Sequence, residues 1–227
     1  MVEDHFPTLR VGSRACGCPE PSHEPRLVVV TGGPGAGKTA VLELAARSFC
    51  EHVAILPEAA TIVFGGGFPR HDTVVGRRAA QRAIFAVQRQ LEEVVLGERK
   101  VGVALCDRGS LDGLAYWPDP PDSFWAAMAT GEENELARYH TVIHLRVPDV
   151  DQGYQNNPIR IESSEQAAAV DSRIAAAWAT HPHRIELAAG ADFASKARSA
   201  LEAIRELLPP CCHRHSLATP ESPDQRP

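Results

Sequence analysis

The run Gly32-Gly-Pro-Gly-Ala-Gly-Lys-Thr39 constrains this chain more than any other feature. It fits the pattern G-x-x-x-x-G-K-[ST], in which glycines let the backbone curl until successive N–H groups face phosphate oxygens. The flanks suit that reading. Arg26–Thr31 is a short apolar, β-branched stretch that reads as a buried strand. Beyond the loop, Val41, Leu44, Ala45 and Phe49 recur at helical spacing, so the loop opens a helix whose N-terminal dipole adds to the same anion site. The pattern places a nucleotide's phosphates on Gly33, Pro34, Gly35, Ala36, Gly37, Lys38, Thr39 and Ala40. Lys38 is expected to reach the β- and γ-phosphates, and the Thr39 hydroxyl to ligate Mg2+.

The 227 residues suit one domain with a sizeable core. A net charge of -6 argues against a dedicated nucleic-acid binder, which normally carries a basic surplus. No apolar run approaches the length of a membrane span. Met1-Val-Glu-Asp-His-Phe-Pro7 lacks a basic region followed by an apolar stretch, so no secretory signal is expected and the chain reads as cytoplasmic. Cys50 and Cys106 lie in apolar segments as buried thiols. Cys16-x-Cys18 and Cys211-Cys212-His213-Arg-His215 offer soft ligands, but neither has C-x2-C spacing, and the reading favours loose termini over a metal site.

Residues 1–25, with four prolines and no apolar period, read as a flexible lead, and the proline-rich residues 209–227 as a tail. Between them, residues 26–208 alternate strands and helices. Strands are expected at 26–31, 53–57, 101–106, 141–146 and 184–188. A long helix near 73–96 shows Ile84, Val87, Leu91 and Val94 on one face, with Gly97 at its end. A later helix near 164–179 opens at a Ser163-x-x-Gln166 capping box and buries Val170, Ile174 and Trp178, and a last helix near 193–208 shows Phe193, Ala197, Ala200, Ile204 and Leu207 on one face. The expected fold is α/β: a three-layer α/β/α sandwich around a five-stranded parallel sheet of the nucleotide-kinase type of P-loop NTPase. Its ligand would lie at the C-terminal edge of the strands.

Two strand ends there carry acids. Val101-Gly-Val-Ala-Leu-Cys-Asp107 ends in a carboxylate suited to hold the metal beside Thr39 or, alternatively, to cap a helix that begins close by, and Arg108 follows it, placed to meet a phosphate or acceptor or to stay solvated. Glu58 closes the second strand, where a base could take a proton from a substrate hydroxyl; the alternative is a glutamate favoured by the dipole of a helix N-terminus.

Gly32–Thr39, Glu58-Ala-Ala-Thr61, Asp107-Arg-Gly-Ser-Leu-Asp112 with Tyr116, and Asn157-Pro-Ile-Arg160 through Glu165 together resemble one family. It is the AAA-type P-loop domain shared by NadR-like nicotinamide riboside kinases and the TRPL-translocation-defect proteins, and the likeness covers about residues 26–208. Through it the chain is also similar to deoxynucleoside kinases. The resemblance implies a base at Glu58, a metal and substrate pair at Asp107 and Arg108, and a lid after the fourth strand whose arginine meets the transferring phosphate. Arg146, Arg160 and Arg173 are the candidates, with Arg160 chosen because it sits in the matching segment. The translocation-type relatives carry a further lipid-handling domain that this sequence does not contain, so phosphoinositide binding is not carried over.

Around these lie weaker signals. Phe64-Gly-Gly-Gly-Phe68 with Arg70 and His71 suits a flap over the acceptor or a plain surface loop. Arg78 and Arg82, four apart, suit an anionic acceptor or a solvated face. His181-Pro182-His183 reads as a helix stop, and Tyr116, Trp117 and Trp125 as acceptor wall or core. The expected activity is Mg2+-dependent transfer of a γ-phosphoryl from ATP or GTP to a small nucleoside-like hydroxyl acceptor, with catalysis by Lys38, Glu58, Asp107, Arg108 and Arg160. The alternative is a nucleotide-binding regulator or NTPase without a small-molecule product. No Asn-Lys-x-Asp sequence that would read guanine is present, which favours ATP.

Overall fold

The computed structural model describes residues 8–20, 22–147, 164–188 and 192–213. Five parallel strands form its centre: β2 (Arg26–Thr31), β3 (Val53–Leu56), β4 (Val103–Asp107), β5 (Thr141–Leu145) and β6 (Arg184–Leu187). A two-residue strand, β1 (Arg10–Val11), pairs antiparallel with β3, so the order is β1-β3-β4-β2-β5-β6. The expected five strands are therefore corrected to six. Two residues hold no alternation to read, and β1 falls in the segment taken as a lead. Its pairing continues as Gly12 donates its N–H to Val53 O at 2.8 Å.

Both faces of the sheet are covered, which explains why the central strands β2, β3 and β4 are nearly continuous apolar runs. On one face Val28 and Val30 pack with Val41 and Ala45 of α1 (Lys38–Ser48) and Ala200 and Ile204 of α7 (Phe193–Glu206). On the other, Leu27 and Val29 meet Val95 of α3 (Val74–Glu98), Ile174 of α6 (Ser164–Ala177) and Trp178. The result is the expected three-layer α/β/α architecture. No described helix is long and apolar enough to cross a membrane.

The central strand β2 has β4 on one side and β5 on the other. The chain runs to β3 and β4 first and then crosses to β5 and β6, which leaves a crevice at the C-terminal end of β2. The glycine loop leaves the sheet at that point.

Helix α3 departs from its expected face. Thr73 caps it by accepting from Gly76 N, and Arg99, not Gly97, takes the left-handed position at its end with φ 54. Its buried residues are Ala80, Gln88, Glu92 and Val95, while Val94 is exposed. Glu92 is fully buried because it accepts from Tyr139 Oη at 2.7 Å, Arg138 Nη2 at 2.6 Å and Gln88 Nε2 at 2.8 Å. Tyr139 Oη in turn accepts from Ser110 N at 2.8 Å, tying a 3-10 turn (Ser110–Ala115) to this helix. That turn and α2 (Ala59–Gly65) are the helix starts expected as alternatives beside Asp107 and Glu58, whereas α4 (Pro121–Met128) and α5 (Glu132–Leu136) were not foreseen from the sequence.

Candidate functional site

The glycine loop has the conformation its sequence calls for. Gly35 and Gly37 stand at φ 84 and 95, where a Cβ is disfavoured, and Gly37 is the N-cap of α1. The first turn of α1, with Lys38, Thr39 and Ala40, thus directs its N-terminal amides into the loop. Lys38 is buried and folds back, donating from Nζ to Gly32 O at 2.9 Å and Gly33 O at 3.1 Å. Burial, and then the neighbouring Arg108 charge, bring its pKa down to about 8. Ala36 packs into the core and donates its N–H to Gly33 O at 3.2 Å, while Thr39 is exposed at the helix start.

A brace that sequence reasoning missed holds the loop from behind. Asp171 of α6 accepts from Gly33 N at 2.8 Å, its Oδ1 lies 2.9 Å from His144 Nε2, and its Oδ2 lies 2.9 Å from Arg146 Nε. A Cβ on Gly33 would lie 2.8 Å from the Asp171 Cβ, so only glycine leaves room for this approach. Its partners lie 138, 27 and 25 positions away (171 minus 33, 144 and 146), and no local pattern marks Asp171.

Glu58, Asp107 and Arg108 converge beside the loop. The β2–β4 register pairs Val30 with Asp107, which sets that carboxylate at the sheet edge. Arg108 follows at φ 74, an uncommon conformation for a side-chain-bearing residue and one that clusters at functional sites. Its guanidinium donates from Nε to Glu58 Oε1 at 2.7 Å, and from Nη1 to Asp112 Oδ1 at 3.1 Å and Gly32 O at 3.4 Å. Burial opposes its charge, but Tyr116, Asp112 and Glu58 outweigh that and hold its pKa above the ordinary arginine value. Glu58 occupies the N-cap of α2 without capping it; its Oε2 accepts from Thr61 Oγ1 at 2.6 Å. Burial pushes the Glu58 carboxyl up, while Arg108, Thr61 and Lys38 together bring it below its usual value.

Asp112 is the second residue missed as a functional group, although it belongs to a quoted motif. Nearly fully buried, it accepts from the Thr31 hydroxyl, Arg108 Nη1, Gly109 N at 3.1 Å and Trp178 Nε1 at 3.0 Å. It thereby fixes the direction of Arg108. Its i+4 spacing from Arg108 was the one available sign.

Asp107 Oδ1 is buried and has no hydrogen-bond partner among the described residues. Burial, followed by the Glu58 charge, lifts its pKa to about 6. A carboxylate oxygen left unpaired beside a phosphate loop is costly unless a cation completes it, so the donor set of Asp107 and Thr39 fits Mg2+.

A cavity of about 470 Å³ opens next to this cluster. Pro34, Glu58, Arg108 and Tyr116 line its loop side, and Arg70 and Arg77 its outer side. Arg70 stacks 4.1 Å from the Phe64 ring centroid, so the glycine-rich segment does border the cavity. Arg78 instead pairs with Asp119 at 2.6 Å, and Arg77 takes the place expected of Arg78 and Arg82. Trp117 is core and donates to Ser123 Oγ, which separates it from Tyr116. Arg146 is engaged by Asp171 and Glu186, and Arg173 by Ala115 O. Arg160 and the Ser163 capping box lie outside the described residues. His181 is buried with Nε2 2.9 Å from Tyr139 O, a structural contact.

Residues 27–196 match the family model for an AAA domain, a span that includes the loop, β4 and the Asp171 brace. The chain belongs to the AAA domain family, of P-loop NTPase type. No curated protein gave a match. An AAA domain implies nucleotide binding.

Proposed function

We propose that this AAA domain is a Mg2+-dependent kinase that moves the γ-phosphoryl of ATP or GTP to a hydroxyl of a small, nucleoside-like acceptor. One observation carries the reading: a chamber lined by Glu58, Arg108 and Tyr116 opens beside Pro34 of the phosphate loop. A chamber there gives an acceptor a place in line with the terminal phosphate, and phosphoryl transfer depends mainly on placement and charge stabilisation. Likeness to NadR-like and deoxynucleoside kinases in the same motifs supports it.

Lys38 exchanges its loop carbonyls for the β- and γ-phosphate oxygens. Thr39 and Asp107 would hold Mg2+, which supplies charge neutralisation across the phosphates when bound. Glu58 accepts the acceptor's hydroxyl proton as the acceptor oxygen bonds to the γ-phosphorus. The bond from that phosphorus to the bridging oxygen breaks, and the nucleoside diphosphate leaves with the electron pair. Arg108, steadied by Asp112, orients Glu58 and faces the developing charge. Arg160 is proposed as the lid arginine.

The experiment is a panel of nucleosides and sugars incubated with ATP or GTP and assayed for phosphorylated product. One acceptor class should turn over, with activity collapsing in Lys38→Ala and Glu58→Gln. Full turnover in Glu58→Gln would remove the base assignment. Hydrolysis without any phosphorylated product across the panel would replace the kinase with a regulatory NTPase, which needs no acceptor chamber.

A further inference from the structure

Far from the phosphate loop, the chain gathers five of its cysteines and two histidines into one cluster. Cys16 comes from the segment after β1, Cys50 and His52 from the turn between α1 and β3, and Cys211 and Cys212 from the 3-10 turn Pro210–Cys212 after α7. Cys18 and His23 stand beside them, with the His23 and His52 rings 4.3 Å apart. All six cysteines of the chain are among the described residues, and none is in a disulfide. The sequence reading set these end cysteines aside for want of C-x2-C spacing. The fold supplies what spacing does not, because the ligand atoms come from three separate segments.

Within this cluster, one ligand atom each from Cys16, His52, Cys211 and Cys212 all lie within 4.8 Å of one another. Cys212 Sγ is 4.0 Å from Cys16 Sγ, 3.6 Å from Cys211 Sγ and 3.2 Å from His52 Nδ1. A tetrahedral zinc with Zn–S bonds of about 2.3 Å and Zn–N of about 2.0–2.1 Å has S–S edges of about 3.8 Å and S–N edges of about 3.5 Å. The two S–S separations bracket the first value, and the S–N separation is slightly shorter than the second. His52 and Cys212 are buried, and Cys16 and Cys211 are half-buried, so four soft donors converge with little access for water.

We propose that Cys16, His52, Cys211 and Cys212 form a structural site for a soft divalent ion, zinc in type. On binding, three thiols release their protons to solvent, and His52 coordinates as the neutral imidazole through Nδ1. Four protein ligands leave no open position, which is the pattern of a structural site and not of a catalytic one. His52 directly precedes β3, at the sheet edge opposite to the one the phosphate loop leaves, because β2, β3 and β4 run parallel. The ion would clip the segments flanking the sheet together without touching the nucleotide site.

The test uses the full-length chain, purified under reductant and dialysed against metal-free buffer, then titrated with zinc and with cobalt(II). The expected result is one ion per chain, a cobalt spectrum of tetrahedral type with three thiolates, and a melting temperature that rises with zinc. Cys16→Ser and Cys212→Ser should each weaken zinc binding at least roughly 100-fold, and Cys18→Ser and Cys106→Ala should leave it unchanged. If the serine variants fail to fold, the wild-type cobalt spectrum decides by its thiolate count. An absence of stoichiometric binding, an oxygen-rich six-coordinate cobalt spectrum, loss of the ion in Cys18→Ser alone, or a Cys50–Cys212 disulfide in its place would overturn the assignment.

Discussion

Arg108 Nε sits 2.7 Å from Glu58 Oε1, joining the end of β4 to the start of α2 across the crevice. The same guanidinium reaches Asp112, so one planar fork fixes two carboxylates at once. Lysine has the charge but not the fork. Arg108→Lys is therefore expected to lower acceptor turnover about 100-fold, in the range for loss of one preorganised donor. Steady-state kinetics should place the loss in kcat, with nucleotide affinity from titration calorimetry changing far less.

Lys38 offers the plainest test of the phosphate site. Lys38→Ala is expected to weaken MgATP binding by about 100-fold, on the order of 3 kcal/mol for a buried charge-assisted contact. Circular dichroism should stay native, since the replaced side chain contacts only loop carbonyls in hydrogen bonding. Titration calorimetry of both proteins checks it, and equal affinities would contradict the site.

Asp107 predicts a pH dependence. Its folded-state pKa, raised to about 6 by burial and then Glu58, exceeds the unfolded value of 3.8, so the folded chain holds this proton more tightly. The associated stability is complete below the unfolded value and is lost as pH rises through the folded one. Without nucleotide or Mg2+, wild type should lose about 2 kcal/mol from this group between about pH 4.5 and about pH 7.5. Asp107→Asn removes that slope while abolishing Mg2+-dependent nucleotide binding. Urea unfolding at the two pH values compares them.

Asp171 is predicted to matter although it touches no ligand. Asp171→Ala leaves His144 and Arg146 without their shared carboxylate and frees Gly33 N from its brace. Leaving the buried His144 and the Gly33 N–H without this acceptor costs about 1–3 kcal/mol. Thermal melting should fall accordingly, and the loop's nucleotide affinity should drop with it. A variant with unchanged melting would show that the brace contributes nothing.

The parts of this molecule that sequence foretold are those written locally. The glycine loop, its strand and its helix lie within about twenty consecutive residues, and the three layers follow from apolar strands alternating with amphipathic helices. The lower-visibility parts depend on partners far along the chain. Periodicity put Val94 of α3 on the buried face, yet Gln88 and Glu92 are buried in its place because Arg138 and Tyr139 meet them there. Asp112 looked like a passenger in its motif until Thr31 and Trp178, 81 and 66 positions away, closed on it. Glu58, Asp107 and Arg108 were legible as two carboxylates and a guanidinium at strand ends. The bond between Arg108 and Glu58 was not, since it depends on how β3 and β4 sit side by side.

Lys38 already satisfies two oxygens of its own loop, and that has a bearing on selectivity. An arriving ligand wins the ammonium only by outbidding a pair of neutral carbonyls, so association is a swap rather than a fresh attachment. Inorganic phosphate, with a single phosphoryl group, meets fewer of the loop's donors to offset the two lost carbonyls. A polyphosphate tail, with charge on successive phosphoryl groups, makes the swap readily, so the resting lysine works as a threshold that favours long anions over the short ones abundant in any cell.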